Sequence, residues 1–219
     1  MRIFSLNSPL MQKLSLLYDL IILNLLTIFC SLPVVTMGAA ISALYDGVWR
    51  LRNHEGTLLR NYFQAFRSNF KQATLLFLPL LLVGVNLGNR LLTVFTDETL
   101  AQTERLLPLF LACLVWGMLM AWVFPLQSRF DNKTIRIYMN AFFCALKFLP
   151  QTLVMLLLNL LPWALWVLFP VQFMQYLLLW LLLWFAATAY FVMWMLQKPI
   201  AALFALATPS EEAEGQEES

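Results

Sequence analysis

Six apolar stretches constrain this chain more than any other feature: Leu14–Ser31, Thr36–Leu51, Ala73–Phe95, Leu106–Gln127, Pro150–Phe169 and Phe173–Leu196. A helix rises ~1.5 Å per residue, so roughly twenty apolar residues cross a hydrocarbon layer of ~30 Å. The last four stretches meet that length; the first two are shorter. Hydrophobic residues make up 61% of the 219 positions and charged residues 12%, where a soluble domain carries about 25% charged. One core of this size does not hide so much apolar surface, so lipid must solvate much of it. The expected fold is all-α: a polytopic transmembrane helical bundle over residues 1–207, followed by a disordered acidic cytoplasmic tail over 208–219.

Charge distribution sets the expected orientation. The net charge of +2 hides a split, because five of the twelve acids (Glu211, Glu212, Glu214, Glu217, Glu218) lie in the last nine positions. Arg50, Arg52, Arg60, Arg67 and Lys71 cluster in one connection against Glu55. Arg129, Lys133, Arg136 and Lys147 cluster in another against Asp131. Basic loops stay in the cytoplasm, so both connections are placed inside. The connection with Asp97, Glu98 and Glu104 and the Pro170–Gln172 turn then lie outside. Arg2 and Lys13 favour an internal amino terminus. Six spans with both termini cytoplasmic is the expected topology; five with an external amino terminus is the alternative. Pro33 separates the first two stretches, leaving either a pair of short spans or a re-entrant segment within residues 14–51. The first apolar run lacks a small-residue cleavage site and is expected to be a retained anchor. No long basic arm suggests nucleic acid.

Both basic connections are too long to be simple turns. In the first, Leu59, Tyr62, Phe63, Phe66 and Phe70 recur at helical spacing, with Arg60, Asn61, Gln64, Arg67 and Lys71 on the other face. That pattern predicts an amphipathic helix along the headgroup boundary, with Thr57 as its N-cap. In the second, Ile135, Tyr138, Met139, Phe142 and Leu146 form the same stripe, each at one constant offset from its counterpart. Arg60/Arg136, Tyr62/Tyr138, Ala65/Ala141, Phe66/Phe142 and Lys71/Lys147 are identical at that offset. A parallel internal duplication is expected, each unit being span, interfacial helix, span: Thr36–Phe95 and Leu106–Phe169.

Polar candidates within the apolar stretches are few. Asp19 and Asn24 stand in the first, and a carboxylate in lipid is either paired or functional. Asp46 and Arg50 are four apart, acid first, which favours a local helix pair. Small residues mark close helix approach: Gly38 with Ser42, Gly84 with Gly88, and Gly117 between Cys113 and Ala121. These stripes serve packing within the chain first and leave a homo-oligomer open. Cys30, Cys113 and Cys144 are far apart and read as small buried hydrophobes. His54, beside Glu55, reads as a solvated loop residue. No phosphate loop, zinc-protease or nucleophile-elbow motif occurs. Catalytic, cofactor and metal sites are therefore expected to be absent.

Asn7-Ser-Pro-Leu, Asp19-Leu-Ile-Ile-Leu-Asn24, Leu32-Pro-Val-Val-Thr36-x-Gly38, Ala43-Leu-Tyr45, Phe63-x-x-Phe66 and Asn69-Phe-Lys-Gln-Ala73 together resemble the YesL family of bacterial membrane proteins. The resemblance spans most of the chain and is strongest from the amino terminus to Leu75. It adds Thr36 to the polar candidates. The activity of that family is not established, so the resemblance carries over no catalytic or binding residue. It implies a companion of carbohydrate uptake, beside an ABC-type sugar permease. An accessory or scaffolding protein is therefore expected, with a small secondary transporter or channel, coupled through Asp19, as the alternative.

Overall fold

The computed structural model describes residues 9–96, 103–130 and 132–207, all of them helices and their connections. The helices are α1 (Pro9–Ser31), α2 (Met37–Arg52), α3 (Leu58–Thr96), α4 (Thr103–Gln127), α5 (Thr134–Lys147), α6 (Leu149–Leu168), α7 (Pro170–Gln175) and α8 (Leu177–Ala207). Among the described residues, five stretches are long and apolar enough to cross a membrane: Leu10–Ser31, Leu58–Val94, Leu106–Gln127, Leu149–Leu168 and Leu177–Leu203. The chain is a multi-pass membrane protein built as a helical bundle. The expected acidic tail and the acidic connection around Asp97 lie outside the described residues.

The short α2 occupies the centre, packing against α1, α3, α4 and α8. Its Gly38, Ala39, Ala40, Ser42, Ala43, Leu44, Asp46, Gly47 and Val48 are all buried, and small side chains are what let four neighbours crowd one backbone. A Cβ on Gly38 would lie 2.5 Å from the Ala73 carbonyl oxygen and 2.6 Å from the Phe77 Cβ. The Leu32–Thr36 connection reverses the chain through a single 3-10 turn, Val34–Thr36. Thr36 closes that turn with its hydroxyl in reach of the Cys30 and Pro33 carbonyls, one of which accepts its single proton. The segment after Pro33 is thus one continuous helix, but at 16 residues it is shorter than the five apolar spans.

The greatest departure from expectation is α3. The interfacial helix and the third span are one helix of 39 residues. Sequence polarity changes near Ala73, but no glycine or proline interrupts 58–78, so nothing stops backbone propagation. Pro79 is the first residue unable to donate within α3, and side chains of other helices bond carbonyls on either side of it. The Tyr138 hydroxyl donates to the Leu76 carbonyl, and the Trp116 indole donates to the Leu80 carbonyl at 2.7 Å.

The second amphipathic segment is a separate helix, α5. Both segments divide into three sectors, since successive residues turn by about 100°. Asn61, Tyr62 and Ala65 in α3, like Ile137 and Ala141 in α5, face the bundle and are buried. Leu59 and Phe63, like Ile135 and Met139, are large apolar side chains left exposed. Arg60, Gln64 and Lys71, like Arg136, Asn140 and Lys147, form an exposed polar sector. Tyr62 is therefore a core residue rather than part of a lipid-facing stripe, and Tyr138 is half-buried.

Candidate functional site

The densest polar cluster is built on the carboxyl-terminal turn of α2. Its register turns Asp46 toward the centre of the bundle, leaving it 5% exposed. Arg50, one turn later, donates Nε–H to Asp46 Oδ2 at 2.7 Å. Arg129, just beyond α4, donates from Nη1 to Asp46 Oδ1 at 3.2 Å. A buried carboxylate needs such charge-assisted partners, because desolvation alone costs several kcal/mol per ion. The Arg129 guanidinium also lies 4.8 Å over the Trp49 ring, and that of Arg52 lies 4.7 Å over Tyr190 of α8. The cluster joins α2 to the α4–α5 connection through the ion pair, and to α8 through Arg52.

Burial pushes the Arg129 guanidinium below its ordinary range; the Asp46 carboxylate opposes that shift, Arg50 adds to it and Glu55 opposes it. Among the described residues, several buried polar atoms have no hydrogen-bond partner: Nε of Arg52 and of Arg129, the Ser42 and Tyr62 hydroxyls, and both amide atoms of Gln127. Glu55, His54 and Gly56 form the exposed turn into α3, where His54 and Gly56 adopt positive φ (56° and 64°). Thr57 directly precedes α3, its carbonyl accepting from Asn61 N at 2.9 Å.

The other polar candidates are dispersed. Asn24 faces α8, donating to the Leu181 carbonyl and accepting from Ala186 N at 2.9 Å. Its side chain thus ties the first long helix to the last. Asp19 is half-buried and has no hydrogen-bond or ion-pair partner among the described residues. Gly84 lies against Trp116, where a Cβ would come within 2.6 Å of the ring, and Gly117 lies against Leu156 at 3.0 Å. Gly88 faces open space. Arg60, Lys71, Arg136 and Lys147 are exposed, while Phe66 and Phe142 are half-buried beside their stripes. All three cysteines are free, and burial pushes the Cys144 thiol up, as suits a packing residue.

The structure adds partners that local sequence patterns do not reveal. Arg129 reaches Asp46 across 83 residues. The Trp122 indole donates to Thr152 Oγ1 at 2.9 Å, and the Gln72 amide donates to the Asn132 carbonyl. Each tie joins elements distant in sequence, where helical periodicity carries no information.

A family described as a protein of unknown function, DUF624, matches residues 20–88. That stretch holds the carboxyl-terminal half of α1, all of α2 and most of α3, with Asn24, Asp46 and Arg50. It overlaps the segment where the YesL-like motifs concentrate. Arg129 and the whole of α4–α8 lie beyond it. No curated protein and no solved structure matches the chain.

Proposed function

We propose that this protein is a non-catalytic accessory component of a bacterial cytoplasmic membrane, a helical scaffold that serves a carbohydrate-uptake system. The observation that carries this reading is how its intramembrane polar groups are used. Asn24, Trp116, Trp122, Tyr138 and Gln72 each bond a group on another helix or connection, and Asp46 is held by two arginines. A coupled transporter instead gathers ionisable or polar groups around a midplane site. The YesL resemblance supplies the partner class, an ABC-type sugar permease.

Six crossings, with α2 as the short second one, and both termini in the cytoplasm complete the proposal. The basic residues of the α2–α3 and α4–α5 connections support that sidedness. Matching burial sectors in α3 and α5, at the offset that relates Arg60 to Arg136, support a parallel duplication of Thr36–Phe95 and Leu106–Phe169.

A second reading, a small transporter or channel, draws on the partnerless Asp19 and on the unpaired Ser42, Tyr62 and Gln127 groups. Reconstitution separates the two. Purified protein in liposomes is scanned for solute and proton flux beside Asp19→Asn. Co-purification of a sugar-permease subunit without flux is the expected result; saturable flux lost in the variant would replace the scaffold with the transporter.

A further inference from the structure

The geometry points to a binding site for the headgroup of an anionic phospholipid on the amphipathic half of α3, in the hollow lined by Phe63, Phe66, Arg67, Ser68, Phe70 and Lys71. This hollow has a volume of about 680 Å³ and brings two bases beside three aromatic rings. Neither base has an acidic partner: among the described residues the ion pairs are those of Asp46, and α3 contains no Asp or Glu from Leu58 to Thr96. Unneutralised bases at the edge of an apolar surface suit a phosphate headgroup, with acyl chains continuing over the rings.

A second hollow lies beside the corresponding turn of α5, on the side nearer the bundle. This hollow, of about 390 Å³, is lined by Asn140, Phe143, Cys144 and Lys147, closed by Leu126 and Leu203 among others. Phe143, Cys144 and Lys147 are the repeat counterparts of Arg67, Ser68 and Lys71. Lys147 occupies the Lys71 position, and α5 also lacks any acid. The α5 hollow thus keeps one base, Lys147, where the α3 hollow has two, Arg67 and Lys71. Charge selects the lipid: a zwitterionic headgroup would bring its own ammonium against Arg67 and Lys71.

Native mass spectrometry of the full chain, equilibrated with equal phosphatidylglycerol and phosphatidylethanolamine, tests this. Wild type should retain phosphatidylglycerol several-fold over phosphatidylethanolamine. The Arg67→Gln/Lys71→Gln variant should lose most of that preference, since each base near a membrane surface contributes up to about fivefold. The charge-keeping Arg67→Lys/Lys71→Arg variant should keep most of it, and Arg90→Gln, at the other end of α3, should keep all. Equal retention of the two lipids by wild type, or equal losses in the Arg90 and Arg67/Lys71 variants, would overturn the site. Displacement of the lipid by millimolar inorganic phosphate would overturn the lipid as its occupant.

Discussion

The amphipathic half of α3 and the α5 helix present the same three sectors yet continue differently. After α3 turns from amphipathic to apolar at Ala73 it runs on unbroken to Thr96, whereas α5 stops at Lys147 and α6 restarts at Leu149. Phe148 leaves helical geometry between them, at φ −112° and ψ 52°. The difference traces to one position. Pro150 stands where α3 has Thr74, at the offset that pairs Lys147 with Lys71. Proline lacks the amide proton and disfavours helical geometry in the residue before it. Thr74 instead stays in the helix and donates its hydroxyl to the Val35 carbonyl at 3.2 Å. One residue thus decides whether an amphipathic helix and its span are fused or hinged.

Moving the proline is the strongest way to break this comparison. Thr74→Pro should interrupt α3 near Gln72, lose the tie to Val35 and destabilise the protein by about 3 kcal/mol. The check is the thermal midpoint and helix content of the purified protein in detergent; an unchanged midpoint would refute the assignment of the hinge to proline. The reverse change, Pro150→Thr, should extend the helix through Phe148. Spin labels at Met139 and Leu157 would then move apart as the kink straightens.

The two regions also differ one level deeper in the bundle. Asp46 of α2 and Trp122 of α4 are counterparts at the same offset, and both are buried. The first is held by two arginines, the second by one neutral hydrogen bond to Thr152. Asp46→Asn keeps the shape but leaves Arg50 and Arg129 without their counter-charge. Arg50 is partly solvated, its side chain being 32% exposed against 20% for Arg129, so Arg129 bears most of the cost. A loss of about 2 kcal/mol is expected, and Arg129→Gln in the Asp46→Asn background should restore part of it. Additive losses in that double-variant cycle would mean that the pair does not interact.

Much of the bundle was legible because lipid enforces long apolar runs: α4 and α6 begin and end within a few residues of the stretches read from sequence. The α5–α6 boundary was legible too, since Pro150 announces it. Continuity in α3 was not, because a change in side-chain polarity at Ala73 looks like a boundary while the backbone sees none. Asp46 with Arg50 was visible as an i, i+4 pair. Arg129 was not, being one base among several in a loop, with no periodicity linking it to a residue 83 positions away. The same holds for Asn24, whose partners sit 157 and 162 residues on. Composition shows that such a side chain needs a partner and leaves open which helix supplies it.

The smallest expected effect concerns what holds the hinge at its fixed angle. Thr152 sits one turn into α6, with its hydroxyl within 2.8 Å of the Ala145 carbonyl and 3.0 Å of the Phe148 carbonyl. It also accepts from Trp122. A hydroxyl has one proton to donate and lone pairs to accept, so Thr152 ties α4 to the Ala145 and Phe148 carbonyls that flank the hinge. Trp122→Phe removes the indole donor yet leaves the hydroxyl free to keep bonding backbone, at a cost of about 1 kcal/mol. Thr152→Val removes both links at once and buries an unpaired indole N–H, so its cost should be the larger of the two, about 2 kcal/mol. If thermal midpoints rank these variants in the opposite order, the hinge is held by packing of Trp122 on Phe148, whose rings stack at 5.8 Å, and not by the hydroxyl.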